Sequence, residues 1–459
     1  MSQQGMAVEL PLVHRRSFSA RSILVEHSPK EIIAIEFLVT IAAYYLGILL
    51  SPHYDILVGG RELVFIGILH ALITVVTNIG LGSYEFTKRF RFSTIGINSC
   101  VSQLSAFFFS IAITYLGFYS AFGRLSVAYG VASSLVGVVV LKLLMRQHVL
   151  MNPYILSTLG SSALLVKIQE RCQREHLGFR CLPIEVDLYN IERLLTAIQA
   201  NHSKTIILSS AFARHENFVD FSLAAAEMGI TVADELEFYT YLFEHIPIDF
   251  IDKRWLFHMG VLRPSALFMA SKRIFDLLFS CSCLVIFLPL IILISLFIKL
   301  SSRGPVLFVQ PRIGRYSKLF YVYKFRTMHQ YSGSSSTQPL VTSKNDERLT
   351  LVGKIIRPLH LDELPQLVNI IKGEMSFVGV RPETIAYGQQ MQGEMPVYHL
   401  RDLFNPGITG HAQLSMHYPM HTIEDTKKKL GYDFYYLMNQ GIVLDIRIIC
   451  KTFFKLIFP

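Results

Sequence analysis

The chain has 459 residues, too many for one hydrophobic core, so two or three domains are expected. Half of it is hydrophobic (51%), only 17% is charged and the mean hydropathy is +0.40, which excludes an ordinary soluble protein and implies membrane segments. The net charge of +9 suits an anionic leaflet or an anionic substrate, and nucleic acid is excluded because no basic run interleaved with aromatic residues stands apart from the apolar stretches.

The first thirty residues are polar and basic (Arg15, Arg16, Arg21, Lys30), lack the apolar core of a signal peptide and read as a cytoplasmic tail over 1–30. Four apolar stretches of spanning length follow within 31–148: Ile32–Leu50, Leu63–Leu81, Cys100–Tyr119 and Leu125–Met145. Their polar intruders are Glu36, His70, Gln103 and Lys142. Glu36 and Lys142 lie near the ends, where a long side chain can snorkel to the interface. Lys88, Arg89 and Arg91 crowd the second linker and Arg146 follows the fourth span, whereas the first and third linkers carry only Arg61 and Arg124. The positive-inside bias therefore places the N-terminus and everything after residue 146 in the cytoplasm. Six scattered cysteines without metal-ligand spacing read as reduced thiols.

From 152 to 258 strand and helix patterns alternate. Strands are expected at Tyr154–Thr158, Phe179–Ile184, Thr205–Ser209 and Ile230–Ala233. Helices are expected at Ala163–His176, Ile191–Asn201 and Phe218–Met228. That alternation implies a parallel sheet in a Rossmann-like α/β module. The first strand-to-helix turn has one glycine, Gly160, instead of G-x-G-x-x-G, so a pyrophosphate is not provided for and a structural or regulatory module is the preferred reading. Phe238 to Trp255 reads as an aromatic-rich connector.

The next apolar run, Ile274–Leu300, is flanked by Lys272, Arg273, Lys299 and Arg303 and carries Pro289 near its middle. As one helix it reaches about 40 Å, enough to span a bilayer core. Proline removes a backbone hydrogen bond and can kink the helix so that both ends return to one face, and basic residues on both flanks favour that re-entrant form.

The remainder is polar and rich in motifs. Strands are expected at Val306–Gln310 and Phe320–Phe325, and a Ser/Gly/Thr-rich loop around Ser332 to Thr337. Asp362 and Glu363 then precede the apolar pattern Leu364, Leu367, Val368 and Ile371. Pro365 is tolerated in a first helical turn, which sets the helix start near Asp362, at a positive helix end that favours anions. Arg357 stands before the pair, and Lys372 and Arg381 after it. These residue types point to phosphate chemistry; the alternative is an exposed acidic helix start. At the end, Val443–Phe458 is apolar with Arg447, Lys451 and Lys455 at four-residue spacing, the pattern of a helix lying in a membrane interface; the alternative is a buried packing helix with a solvated stripe.

From about residue 271 onward the chain resembles the bacterial sugar transferase family, the monotopic polyprenyl-phosphate phosphoglycosyltransferases. The features that carry the resemblance come in order: Lys272-Arg273 with Asp276, Pro289, Gly304-Pro305, Gln310 with Arg312 and Gly314, Lys324-Phe-Arg-Thr-Met328, Leu361-Asp-Glu-Leu-Pro-Gln-Leu367, Gly373-Glu-Met-Ser376, Arg381-Pro382, Pro406-Gly-Ile-Thr-Gly410 with Ala412-Gln413, and Asp433, Asp445 and Thr452. Four spans followed by a Rossmann-like module is also the arrangement of long members that start exopolysaccharide, capsule or O-antigen repeats. The resemblance implies a membrane α plus α/β protein: a four-helix transmembrane bundle, the Rossmann-like module, and a monotopic α/β catalytic domain over 271–459 with a re-entrant helix at 274–300 broken at Pro289. It implies transfer of a phosphosugar from an NDP-sugar, UDP-sugar by expectation, to undecaprenyl phosphate, on the cytoplasmic face of the bacterial inner membrane. Asp362 would be the nucleophile and Glu363 its metal partner or acid/base, with Mg²⁺ held by Asp362 and Glu363 as cofactor. Lys324, Arg326, Arg357, Gln366, Arg381 and Pro382 would bind substrate. Membrane lipids, and a second copy in a homodimer, complete the expected partners.

Three positions depart from the family pattern. His360 stands where Ser is usual, Val380 replaces the first Pro of Pro-Arg-Pro, and Leu288 precedes Pro289 where some members have Ser. The competing reading is a catalytically weak scaffold or regulator of polysaccharide assembly, against which the intact Asp362, Glu363, Arg357 and Arg381 speak. A transporter would need paired polar groups at mid-membrane, and the sequence offers only His70 and Gln103.

Overall fold

The computed structural model describes residues 29–50, 60–81, 83–84, 92–117, 124–151, 154–160, 162–174, 179–184, 191–203, 205–209, 212, 217–251, 266–329, 348–416 and 422–457. The basic tail, Lys88, Arg89, Arg91 and the Ser/Gly/Thr-rich stretch lie outside these residues. The chain divides into two units, one running to Phe243 apart from residues 79–82, the other holding those four and everything from Glu244 onward.

The first unit begins with helices α1 (Pro29–Leu49), α2 (Gly60–Gly80), α3 (Phe92–Gly117) and α4 (Arg124–Met151), so all four expected spans are helical. Each is apolar and free of proline beyond its first residue. By length and composition, Glu31–Leu49 and Val127–His148 can cross a membrane, and α2 carries a shorter apolar run, Val64–Ile79. Leu38, Leu72, Phe108 and Val136 are exposed while Glu36, His70, Asn78, Gln103 and Lys142 are buried, the reverse of a soluble bundle. Glu36 and Lys142 do not snorkel. Asn78 donates to Glu36 Oε1 at 2.6 Å, Lys142 donates to Asn78 Oδ1 at 2.9 Å, and the two charges lie 3.7 Å apart. They are far apart in sequence but face each other across the packed helices, and pairing satisfies both charges within the bundle.

Strands β1 (Tyr154–Leu159), β2 (Phe179–Ile184), β3 (Thr205–Leu208) and β4 (Thr231–Asp234) form a parallel sheet in the order β2-β1-β3-β4. Helices α5 (Ala163–Arg174), α6 (Ile191–Ala200) and α7 (Phe218–Glu227) alternate with them, as expected. Gly160 adopts φ +89°, and a Cβ there would lie 2.4 Å from Ser209 Oγ, so this glycine is required by the close packing of β1 on β3. The expected aromatic connector instead begins as a helix, α8 (Glu235–Phe243). Asp234 caps it by accepting from the backbone N–H of Leu236 at 2.7 Å, and Phe238, Tyr239 and Leu242 pack against Leu156, Leu165 and Ile168. The density of aromatic residues hides the helical period.

The second unit opens with Ile246, buried among Leu430, Phe434 and Tyr398. Helix α9 (Ala266–Ser301) is helical on both sides of Pro289 and is the third helix long and apolar enough to cross a membrane. Strands β5 (Leu307–Ile313) and β6 (Leu319–Phe325) pair antiparallel. Helix α10 (Leu351–Ile356), a 3-10 turn (Leu361–Gln366) and α11 (Leu367–Lys372) lead to β7 (Ser376–Val378). Then come α12 (Ile385–Glu394), a second 3-10 stretch (Pro396–Leu403), β8 (Gly407–Thr409) parallel to β7, α13 (His411–Ser415), α14 (Ile423–Met438) and α15 (Ile442–Ile457).

Helix α9 is bound to this unit along most of its length. Lys272 reaches Asp445 at 2.5 Å, Arg273 donates to the carbonyls of Ile370 (2.5 Å) and Ile371 (2.7 Å), and Asp276 accepts from the backbone N–H of Phe377. Further along, Cys283 and Leu284 pack on Phe320 and Leu367, and Ile294 and Ile298 are buried with Phe325 and Ile356. The other face, with Val285, Ile286, Leu293 and Leu300, is exposed. Of the expected basic stripe on α15, Arg447 pairs with Glu244 at 3.2 Å and Lys455 donates to the Gln413 carbonyl, so part of it is spent on protein groups.

Candidate active site

His360 turns the chain with a left-handed backbone (φ 54°, ψ 18°). Its N–H bonds the Arg357 carbonyl at 3.1 Å and its carbonyl accepts from Glu363 N–H at 3.2 Å. The next six residues form the 3-10 turn, and the α-helix begins only at Leu367, five residues after the expected start at Asp362. The tighter winding holds Pro365, Asp362 and Glu363 in one short turn. Both carboxyl residues are only 8% exposed, which rules out the exposed acidic helix start.

Two cations from separate elements converge on Glu363. Lys324, near the end of β6, donates to Oε1 at 2.6 Å, and Arg381, beyond β7, donates to the same oxygen at 3.0 Å. Lys324 is held in place through its strand. Asn369 on α11 donates to the Tyr321 carbonyl at 2.7 Å and accepts from Tyr323 N–H at 3.2 Å, tying β6 to the helix that follows the dyad. The Arg381 side chain remains 40% exposed, on the open side of the pair. Asp362 has no ion pair at bonding distance among the described residues.

The two carboxylates are therefore inequivalent. Burial, reinforced by the charge on Glu363, pushes Asp362 above the ordinary carboxylate range, with Lys324, His360 and Arg357 opposing. Burial acts on Glu363 in the same sense, but Arg381 and Lys324 outweigh it and hold this group down at about 2. Burial lowers Lys324, against the pull of Glu363.

Behind Arg381 lies a closed charge network. Arg401 donates to Glu383 at 2.9 Å, to the Tyr398 hydroxyl at 2.6 Å and to the Arg381 carbonyl at 2.9 Å, and it pairs with Asp433 at 3.0 Å. Lys429 completes the cluster on Glu383. Arg312 on β5 donates to the Pro382 carbonyl at 3.1 Å and to Gln310 at 2.8 Å, and its charge acts on Arg381, Glu383 and Glu363.

Asp362, Glu363, Lys324 and Arg381 are thus brought together. Arg357 ends α10 as its C-cap and its charge reaches Asp362; Gln366 is buried in the dyad turn; Pro382 contributes its carbonyl to Arg312. Arg326 points elsewhere: it is buried and donates to the carbonyls of Ser302 and Arg303 and to the Ser302 hydroxyl. Pro289 lies within α9. Sequence reasoning gave no site role to Arg312, Asn369 or Arg401. Arg312 could have been found from its place in the ordered motif set.

For Mg²⁺, the described residues contain no cluster of three or more His, Cys, Asp or Glu that could cage an ion. What the turn offers is Asp362 and the second oxygen of Glu363, since Oε1 is taken by two cations. That set fits an ion that keeps several waters and takes its other ligands from a substrate diphosphate, which is the habit of Mg²⁺.

Residues 267–459 match the family model described as bacterial sugar transferase. Over 189 residues the chain is 41% identical to the exopolysaccharide production protein PSS of Rhizobium leguminosarum bv. phaseoli, a match covering 39% of this chain and 92% of that protein. The chain belongs to the bacterial sugar transferase family. The dyad turn, both its cations and all of α9 but its first residue lie inside the segment that carries this membership. Among longer members it is 41% identical over 194 residues to a UDP-N-acetylgalactosamine-undecaprenyl-phosphate N-acetylgalactosaminephosphotransferase of Aeromonas hydrophila, covering 42% of this chain and 45% of the relative. It is 43% identical over 194 residues to an undecaprenyl-phosphate glucose phosphotransferase of Komagataeibacter xylinus, covering 41% and 36%. The matches thus span less than half of either longer relative.

Proposed function

We propose that the chain transfers a phosphosugar from a UDP-sugar to undecaprenyl phosphate, as the initiating step of an exopolysaccharide, capsule or O-antigen, through a covalent intermediate on Asp362. A carboxylate oxygen of Asp362 attacks the sugar-side phosphorus, the bridging P–O bond breaks, and UMP leaves with its electron pair. A phosphate oxygen of the lipid then attacks the acyl phosphate, forms the new diphosphate and frees Asp362. Splitting the transfer lets a water-soluble donor and a membrane-bound acceptor use one site in turn.

The observation that carries this reading is the inequality of the dyad. Glu363 is fixed and neutralised by Lys324 and Arg381, while Asp362 makes no ion pair at bonding distance among the described residues and keeps its oxygens for a phosphorus. Glu363 in turn orients the two cations, and the exposed part of Arg381 faces the arriving diphosphate. Mg²⁺ at the dyad would supply neutralisation of diphosphate charge. The relatives support the class of acceptor, since the two longer ones named above are undecaprenyl-phosphate sugar phosphotransferases.

The topology belongs to the same proposal. Helices α1 to α4 span the membrane as a bundle, and α9 enters and returns on the cytoplasmic face. Support for the re-entrant form comes from the packing of Lys272, Arg273 and Asp276 at one end of α9, and of Ile294 and Ile298 near the other, against one and the same unit. A through-span would draw that unit's polar surface into hydrocarbon.

Membranes carrying the full chain, given Mg²⁺ and a panel of UDP-sugars, should release UMP with the correct sugar, and Asp362→Asn should abolish release while the protein remains folded. Full activity in the Asn variant would overturn the nucleophile assignment. A cysteine placed at Ser301 should be labelled from the cytoplasmic side; labelling from the opposite side would overturn the re-entrant topology.

A further inference from the structure

We propose that the four N-terminal helices enclose a water-filled, proton-binding site centred on His70. The polar side chains fall on single lines: His70, Thr74 and Asn78 at every fourth residue of α2, Ser134 and Lys142 two turns apart on α4, and Glu36 and Thr40 one turn apart on α1. All are at most 1% exposed. Their bonds define two layers. One is Glu36–Asn78–Lys142, and the other is His70 with Gln103 (2.7 Å) and Ser134 (3.2 Å). On α2 the layers are eight residues, about 12 Å, apart. Thr40 and Thr74 lie between them, and the Thr40 hydroxyl bonds back to the Glu36 carbonyl at 2.7 Å.

Among the described residues, four buried polar atoms in and beside the His70 layer have no hydrogen-bond partner, His70 Nδ1, Thr74 Oγ1, Ser99 Oγ and Gln103 Nε2, and two more, Glu36 Oε2 and the Tyr84 hydroxyl, belong to the Glu36 layer. Within a membrane no surrounding solvent replaces an unmade bond. The set identifies the partner these atoms need. Gln103 Nε2 only donates, so a bare cation cannot satisfy it. His70 Nδ1 carries a lone pair, because Nε2 faces an amide oxygen, which only accepts, and must therefore bear the hydrogen. An anion cannot satisfy a lone pair. Water both donates and accepts, and it serves all four atoms.

A water donating to Nδ1 can also relay a proton from solution. The lone pair forms the new N–H bond as the water's O–H bond breaks, that water takes a replacement proton from the next water toward bulk, the ring becomes imidazolium, and no group is oxidised or reduced. The titratable or charged groups that face His70 are Tyr44, whose ring stacks on it at 4.8 Å, and, one layer away, Glu36 and Lys142, with Tyr84 beside the ammonium. Tyr44, Ile48 and Ile66 form an apolar cluster beyond His70.

The test is solid-state NMR on the full chain in lipid nanodiscs, with ¹⁵N-histidine and ¹³C-glutamine. Of the sixteen histidines, His70 is recognised by its contact with the Gln103 side chain, so no variant has to fold. Water-edited spectra should show transfer from water to this ring, and the ring should pass from neutral to imidazolium as pH is lowered from 8 to 4. A His70 ring that receives no water signal, or stays neutral throughout, overturns the proposal. Neither outcome bears on UMP release, so this reading and the transferase reading fail separately.

Discussion

Two glutamates in the second unit sit between a pair of cations. Glu383 is clasped by Arg401 and Lys429, and Glu363 by Lys324 and Arg381. The difference is access. The Arg401 and Lys429 side chains are 1% and 7% exposed, whereas Arg381 is 40% exposed. The Glu383 cluster also answers its charges internally, with Asp433 as a second acid, and it grips the Arg381 backbone through Arg401. The Glu363 cluster is left open on one side, next to a second carboxylate that no cation bonds among the described residues. Similar chemistry thus serves as scaffold where it is closed and as a site where it is open. The closed cluster fixes the backbone that carries one cation of the open one.

The largest expected effect tests the open cluster. Asp362→Asn should lower UMP release by about three orders of magnitude or more without changing the melting temperature, as expected when a covalent nucleophile is removed. Because burial raises Asp362, and the ionised form attacks, activity should fall on the acid side at a pH above the ordinary carboxylate range. A pH–rate profile flat to pH 4 would contradict the nucleophile's burial. Next comes the closed cluster. Arg401→Met leaves Glu383 and Asp433 without their shared partner and should cost roughly 3–5 kcal/mol of stability, read as a lowered unfolding midpoint. If this variant melts like the parent, the two clusters are not distinct in kind. Glu363→Gln should reduce activity by about a hundredfold, the scale of one misplaced charge partner. It also separates the two roles by pH. Glu363 in the folded chain titrates at about 2 against an ordinary 4.5, so its stabilisation is complete above 4.5 and drains away as pH falls toward 2. The Gln variant should lose that part of the acid slope, as measured by denaturation at several pH values. The smallest effect belongs to the exposed pair Lys427–Asp249, where Lys427→Ala should leave the unfolding midpoint unchanged, because solvent screens the pair.

The apolar runs and the strand–helix alternation made the helices and the parallel sheet legible, because both are periodic and local. The dyad, Lys324 and Arg381 were legible because they sit in compact motifs. Arg326 misled for a physical reason. Two residues from Lys324, it should share that side chain's face on a strand, but β6 ends at Phe325 and the alternation lapses, freeing Arg326 to turn toward Ser302. Arg401 acts on a carbonyl twenty residues away in sequence through tertiary folding alone. The Glu36–Lys142 pair was hidden because each residue, read along its own helix, lies near an end. Only the packing of the helices sets them face to face.

The side-chain amide of Asn369 occupies the outer edge of β6, donating to one backbone carbonyl and accepting from the N–H two residues on. It thereby imitates the bonds of a neighbouring strand. Among the described residues the β5–β6 ribbon has two strands, and a bare edge of that kind would recruit other chains. Here the edge is capped by a single residue of the same helix that follows the dyad. Asn369→Ala should therefore reveal itself as self-association of the protein at high concentration, a colloidal defect arising from a residue buried beside the active site.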